Sequence, residues 1–254
     1  MNFTFDTSLS ETYTSKSQKI RVMSEAWTGE NLFCPACRFL KINHFSNNKA
    51  VADFYCSNCH EEYELKSKNG FPRTKIVDGQ FDTMISRLKS LTNPNLFFLN
   101  YDSLYEVKDF IVIPKYFFTP EIIESRKPLS LNAKRAGWVG CNILFSSIPK
   151  VGIISIIKDG VEISPVSISN LWKKTTFLKN TSLDVRGWTL DVLKIVQKIG
   201  KNDFTLDEVY QFESVLQSKY PKNRFVKDKI RQQLQILRDN NFLQFIERGR
   251  YLLN

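Results

Sequence analysis

Val51-Ala52-Asp53-Phe54-Tyr55-Cys56-Ser57-Asn58-Cys59-His60-Glu61-Glu62-Tyr63-Glu64-Leu65-Lys66 is the stretch on which the fold depends. A Cys-x-x-Cys pair lies in its middle, and residues of alternating character follow it. If the Cys56–Cys59 knuckle is the turn of a hairpin, the strands are 50–56 and 61–67. Pairing Cys56 with Glu61 then sets Asp53 directly opposite Glu64. Side chains alternate along a strand, so Lys66 shares the face of Glu64 while Leu65 points the other way, into the core. Two carboxylates side by side repel unless a cation lies between them. Hard oxygen ligands suit Mg²⁺. A lysine two residues on can orient a water and offset charge on a phosphate. Asp53, Glu64 and Lys66 therefore fit metal-assisted phosphodiester hydrolysis. They also fit a solvated strand face, and the spacing alone leaves both open. Glu62 falls on the face of Glu64, either facing solvent or as a further carboxylate beside the metal.

The cysteines carry a more specific signal. Cys34-Pro35-Ala36-Cys37 and Cys56-Ser57-Asn58-Cys59 are separated by 18 residues, the spacing of a four-thiolate zinc site. Two residues between thiolates let the chain turn so that both sulfurs face one ion. Four protein ligands leave no open position, so Zn²⁺ held by Cys34, Cys37, Cys56 and Cys59 is expected to be structural. His44 reads as a surface or turn histidine, and Cys141 as a small buried apolar residue.

Around this centre the chain mixes helices and strands. Helical spacing appears over 15–28 and 78–91. Leu96–Leu99 and Phe110–Ile113 read as buried strands, and Val151–Ile157 is a third apolar run before a Lys158-Asp159-Gly160 turn. Near residue 183 the pattern changes. Helices are expected over 188–199, 205–219 and about 224–239. Thr205 and Glu208 form a capping-box start, and a glycine-turned hairpin closes the chain. Three helices followed by a hairpin is the winged form of helix-turn-helix. The expected organisation is a mixed α+β domain at 1–181 and a mostly helical winged-helix domain at 182–254.

The 254 residues carry 36 Lys and Arg against 26 Asp and Glu, a formal charge of +10. Such a surplus favours a polyanionic partner, and both parts share it. Residues 184–254 hold 13 basic and 9 acidic side chains. Hydrophobic residues at 42% exclude wholesale disorder. No apolar run is long enough to span a bilayer, and no secretory leader is visible, so a cytoplasmic protein without a membrane partner is expected. Helix 224–239 offers Arg224, Lys227, Arg231, Gln232 and Gln235 for a major groove, with Arg248 and Arg250 on the wing. Lys134, Arg135 and Trp138 form a second basic-aromatic patch, in which the tryptophan either stacks on bases or anchors a core.

Several longer strings, in order, carry a resemblance. They are Val51–Cys56, Glu64-Leu65-Lys66-Ser67-Lys68, Asn93-Pro94-Asn95, Arg126-Lys127-Pro128-Leu129, Ala136–Asn142, Arg186-Gly187-Trp188 and Lys229–Asp239. Over nearly its whole length the chain resembles the DpnI-like methyl-directed (type IIM) restriction endonucleases. The resemblance implies a PD-(D/E)xK nuclease domain with a structural four-cysteine zinc site, followed by a winged-helix domain. It also implies Mg²⁺-dependent cleavage of double-stranded DNA at GATC sites containing N6-methyladenine. Mapped onto this sequence, Asp53, Glu64 and the Leu65 carbonyl would ligate Mg²⁺, and Lys66 would be the catalytic lysine. The proline that usually precedes the aspartate is Ala52 here. The methyl pocket is expected to involve Trp138 and helix 224–239. No obligatory protein partner is expected. A binding-class alternative is a zinc-containing winged-helix methyl-DNA reader or transcription regulator without catalysis. A membrane-surface protein fits the charge but not the zinc-bearing domain.

Overall fold

The computed structural model describes residues 2–46 and 52–254. Residues 50 and 51, the start of the expected strand 50–56, lie outside the described residues. The chain runs through α1 (Lys16–Asn31), β1 (Asn43–His44), β2 (Phe54–Tyr55), β3 (Glu62–Asn69), β4 (Ile76–Gln80), α2 (Phe81–Ser90), β5 (Asn95–Tyr101) and β6 (Val107–Ile113). It continues through β7 (Ile123–Ser125), β8 (Gly140–Ile143), β9 (Ile154–Lys158), β10 (Val161–Glu162) and α3 (Pro165–Thr175). Then follow α4 (Leu183–Ile199), β11 (Asp203–Thr205), α5 (Leu206–Tyr210), α6 (Glu213–Lys219), α7 (Val226–Asp239), β12 (Leu243–Glu247) and β13 (Arg250–Leu253).

A mixed sheet in the order β1-β2-β3-β5-β6-β9-β10 forms the spine of the first part. β5 is apolar at Leu96–Leu99 and buried at every position, as befits a strand covered on both faces. It runs parallel to β3 and antiparallel to β6. One face, carrying Tyr63, Phe97, Leu99 and Phe110, packs against Ile20, Met23 and Trp27 of α1 and Ile168 and Trp172 of α3. The other face, carrying Leu96, Phe98, Ile111 and Ile113, packs against Leu88 of α2 and the small sheet β4-β8-β7. Each such side chain contributes ~1.5–3 kcal/mol by leaving water. Glu64 aligns with Leu96 and Lys66 with Phe98, so both polar side chains share the face on which β4 and α2 lie.

The C-terminal part has its own core. Trp188, Val192, Leu193 and Val196 of α4 pack on Val226, Ile230, Leu234 and Leu237 of α7. A sheet in the order β11-β13-β12 closes it. Thr205 and Glu208 complete a reciprocal capping box, and Gly249 turns the hairpin with φ +76°. Leu190 of α4 and Leu178 join the second core of the first part, and the Lys150 N–H donates to Gln197 (3.0 Å). The two parts are therefore packed together.

Four expected elements differ. The 78–91 helix begins only at Phe81, because Ile76–Gln80 pair with β8 as a strand. The helix expected from 188 starts at Leu183, where the Ser182 hydroxyl accepts the Val185 N–H. The 205–219 helix is two short helices that break at Gln211 and Phe212. Among the described residues, strand 50–56 is regular only at Phe54–Tyr55. No helix among the described residues is long and apolar enough to cross a membrane.

Candidate functional site

Two knuckles of the same shape bring the four cysteines together. The Arg38 N–H donates to the Cys34 carbonyl (2.7 Å), and the His60 N–H donates to the Cys56 carbonyl (2.9 Å). Arg38 and His60 both take positive φ, at 64° and 58°. All four sulfurs lie within 4.8 Å of one another. Cys34 Sγ is 3.5 Å from Cys59 Sγ, and Cys37 Sγ is 3.6 Å from Cys56 Sγ. A tetrahedron of thiolates about 2.3 Å from zinc has edges of about 3.8 Å, so the donor set and its spacing are compatible with zinc. Burial pushes the thiols of Cys34 and Cys59 up, that of Cys59 to about 11. At Cys37 burial is outweighed by hydrogen bonds, the Asn58 amide foremost, which bring the thiol down to about 7. The Tyr63 hydroxyl lies 3.1 Å from Cys34 Sγ, so β3 touches the cluster directly.

The second knuckle sets the hairpin register. Phe54 pairs with Tyr63 and Tyr55 with Glu62, and the Cys56 N–H donates to the Glu61 carbonyl (3.0 Å). The expected pair of Asp53 directly opposite Glu64 does not form as a regular step of the ladder, because the paired strand begins at Phe54 and Asp53 stands at a bend before it. The Asp53 N–H donates to the Tyr63 carbonyl (2.9 Å). Its Oδ2 accepts the Leu65 N–H (2.7 Å), so the carboxylate stands where a strand neighbour would otherwise be. A strand residue directs its N–H and C=O to the same side. The Leu65 carbonyl therefore shares the edge on which Asp53 lies, while its side chain packs into the first core.

The electrostatics of this edge are strained in one direction. Burial pushes the Asp53 carboxyl above the ordinary carboxylate range, against the pull of the Leu65 N–H. Burial also raises the Glu64 carboxyl, to about 7; Lys66 opposes the rise, and Asp78 and Asp53 reinforce it. Burial disfavours the Lys66 cation, yet contacts with Glu64 (2.5 Å) and Asp78 (2.7 Å) hold its pKa above that of a free lysine. A cation between these carboxylates would favour their ionised forms and relieve their repulsion, so the oxygen donors fit Mg²⁺. Lys66 opens into a cleft of about 740 Å³ beside the uncovered edge of β3. Lys16, Arg21, Lys68 and Lys75 also line the cleft, with Glu25 as its acidic member.

Two further acidic groups lie at or near this edge, Asp78 and Glu61. Asp78 lies on β4, at the start of the segment expected as helix 78–91. Glu61 is buried among Asn95 (3.0 Å), Lys115 (2.9 Å) and Lys179 (3.5 Å), whose contacts hold its carboxyl below the ordinary range despite burial. It braces β3 rather than facing a metal.

The basic candidates are distributed differently. Lys134, Arg135 and Trp138 occupy the loop between β7 and β8. Lys134 and Arg135 are exposed and Trp138 is half-buried, so the ring is neither a core anchor nor free. The Arg135 guanidinium lies 4.7 Å from its centroid. A Cβ at Gly140 would come within 2.7 Å of the ring, which is why glycine is needed there. On and around α7, Arg224, Lys227, Arg231, Gln232 and Gln235 are all exposed. Arg231 is held by Asp228 and the Tyr210 hydroxyl, and Lys227 is 3.5 Å from Glu213. On the hairpin, Arg248 is exposed, whereas Arg250 is forked onto Asp203 (2.9 and 2.7 Å) and reaches Glu247 (3.3 Å). Gln233, unremarked in the sequence, is fully buried and accepts the Thr189 hydroxyl (2.7 Å), pinning α7 to α4. Its place beside Ile230, Leu234 and Leu237 in the buried helical stripe was the available signal.

Two family models match the chain. One, described as DpnI, Dam-replacing family, matches residues 1–181. The other, described as DpnI_C, Dam-replacing HTH domain, matches residues 184–252.

Proposed function

The chain belongs to the DpnI, Dam-replacing, family of restriction enzymes, and on that premise we propose that it is a Mg²⁺-dependent endonuclease of the PD-(D/E)xK type. Its substrate is double-stranded DNA with N6-methyladenine at GATC sites. One observation supports the catalytic reading: the Asp53 carboxylate is held on the Leu65 N–H of β3, whose Glu64 and Lys66 share one face, and Lys66 opens into a basic cleft.

Asp53, Glu64 and the Leu65 carbonyl would hold the cation. When bound, Mg²⁺ supplies Lewis-acid polarisation of the phosphate and a water more easily deprotonated. The chain's own groups do the rest. The Leu65 N–H fixes the Asp53 carboxylate, and Lys66 holds Glu64 through an ion pair. The Lys66 ammonium offsets charge that builds on the phosphate oxygens. Cys34, Cys37, Cys56 and Cys59 would hold zinc, which would fix the knuckle that leads into β3.

The helix-turn-helix domain, residues 182–254 with the boundary at 181/182, presents α7 to the major groove. There Arg and Gln side chains read base edges, and the hairpin lies along the backbone. N6-methylation removes a donor and adds an apolar group, so selective recognition requires an apolar contact; Trp138 and α7 are its proposed sources.

Incubation of N6-methylated and unmethylated plasmid with Mg²⁺ tests the reading. Cleavage confined to the methylated plasmid supports it. Cleavage of neither, with retained binding to the methylated duplex, would replace it with the non-catalytic reader.

A further inference from the structure

We infer that Asp78 is a positioning residue for Lys66, a third carboxylate of the centre that rests on the nuclease reading above. Asp78 comes from outside the hairpin, on β4 of the small sheet. The pairing of β4 with β8 slips between Asp78 and Gln80, a bulge at Gly79. Bulges re-aim side chains and concentrate beside active sites. Here the Gly79 N–H donates to Asp78 Oδ1 (2.7 Å), which fixes the carboxylate in the same place where it meets Lys66 Nζ (2.7 Å).

The side chain is only 3% exposed, and its second oxygen, Oδ2, is buried with no hydrogen-bond partner. A buried carboxylate satisfied on one oxygen is a poor choice for stability alone. Asp78 and Glu64 also line a small cavity of about 230 Å³ with Arg87, whose Nη1 is likewise buried and unpartnered. Lys66 is the cation within ion-pair distance of Asp78 among the described residues.

The division of labour follows from the donors. A lysine ammonium has three N–H groups. Glu64 and Asp78 each accept one, which leaves one for a phosphate oxygen in the cleft that Lys66 lines. Glu64 has a second duty as a metal ligand in the proposed reading, whereas Asp78 has none. Asp78 thus provides the anchor for Lys66 that does not depend on what Glu64 holds.

A double-mutant cycle tests this, read by single-turnover cleavage of methylated duplex. Asp78→Asn is expected to slow cleavage about 10- to 100-fold, the usual cost of losing a group that orients another, with duplex affinity unchanged. In a Lys66→Ala background Asp78→Asn is expected to cost less than about twofold, because its effect runs through the lysine. Asp78→Glu, which keeps the charge, is expected to cut faster than Asp78→Asn. The inference is overturned if Asp78→Asn cuts within twofold of wild type, if the two losses multiply, or if the Glu variant is no better than the Asn variant. Loss of the folding transition in both variants also overturns it and makes Asp78 a structural residue. Failure of the wild-type chain to cut methylated DNA fells the nuclease reading and this inference together. Cleavage by wild type with multiplying losses fells this inference alone.

Discussion

Lys66 and Arg250 each contact two carboxylates, yet they stand in different solvents. The Lys66 side chain is 26% exposed, and one of its partners, on Asp78, is only 3% exposed. Arg250 is 47% exposed, and its partners Asp203 and Glu247 are 47% and 64% exposed. Around Lys66 the medium is poor in water, so each charge shifts its neighbours' protonation and geometry. Around Arg250 water and salt screen the pairs, which contribute little. The contrast extends to the two halves of the molecule. The sheet edge concentrates few, mutually constrained charges suited to chemistry. The helix-turn-helix surface spreads many exposed charges suited to salt-dependent adhesion. Substitutions in the first region should cost rate with binding intact, and those in the second should cost binding with rate intact.

The largest effect should come from the element that builds the first region. Structural zinc in small domains is worth on the order of 10 kcal/mol. Chelation, or Cys56→Ala, is expected to lower the thermal midpoint by more than about 10 °C. Metal analysis of the native chain should find one zinc per molecule. A chain with no bound metal and an unchanged midpoint under chelation would break the link between the knuckles and the register.

Next is the lysine itself. Lys66→Ala is expected to slow cleavage by about 10²–10⁴-fold, with duplex affinity within twofold of wild type. Equal losses in rate and affinity would erase the distinction between the two regions.

Glu64 gives a prediction with a definite sign. Its carboxyl titrates near 7 in the folded chain, above its ordinary value. Between those two values the folded state binds more protons than the unfolded state. Its stabilising contribution is therefore complete at low pH and is lost as pH rises through about 7. Glu64→Gln should thus be more stable than wild type at pH 8, by on the order of 1–3 kcal/mol, with the advantage gone near pH 4. Denaturant melts of the metal-free protein at the two pH values would show it. A variant less stable than wild type at pH 8 would place the carboxylate in a comfortable site.

The second region should respond more weakly. Arg224→Ala and Arg248→Ala are each expected to reduce the slope of log affinity against log salt by about one. Arg250→Ala should change affinity by about twofold or less, since its guanidinium is already committed to Asp203 and Glu247. A larger effect at Arg250 than at Arg248 would mean that DNA pulls those pairs apart.

The meeting of the hairpin with β3 was legible because a Cys-x-x-Cys turn has a fixed length. Once Cys56 pairs with Glu61, the Asp53 carboxylate arrives beside β3, on the Leu65 N–H, and period two puts Lys66 on the face of Glu64. The capping box at Thr205 and Glu208 and the buried stripe of α7 were legible for the same reason, that local geometry decides them. Asp78 was not. The apolar period of Phe81, Met84, Ile85 and Leu88 runs smoothly back into Ile76–Gln80, and only pairing with β8, some sixty residues later, makes that segment a strand. Gly79 was the one local hint. The bracing role of Glu61 was not legible because its partners, Asn95, Lys115 and Lys179, come from three distant segments. The fate of Arg250 depended likewise on Asp203, which folding brings near, whereas the partner of Arg231, Asp228, lies three residues away on the same helix.

The central claim is that the Asp53–Glu64 edge cuts what the helix-turn-helix surface holds. It is tested most directly by measuring binding and single-turnover cleavage side by side for Asp53→Ala on a methylated GATC duplex with Mg²⁺. The expected result is affinity within twofold of wild type and cleavage slower by more than about 100-fold, since losing a metal ligand forfeits several kcal/mol of transition-state stabilisation. Cleavage at the wild-type rate in that variant would contradict the account and move the chemistry elsewhere in the molecule.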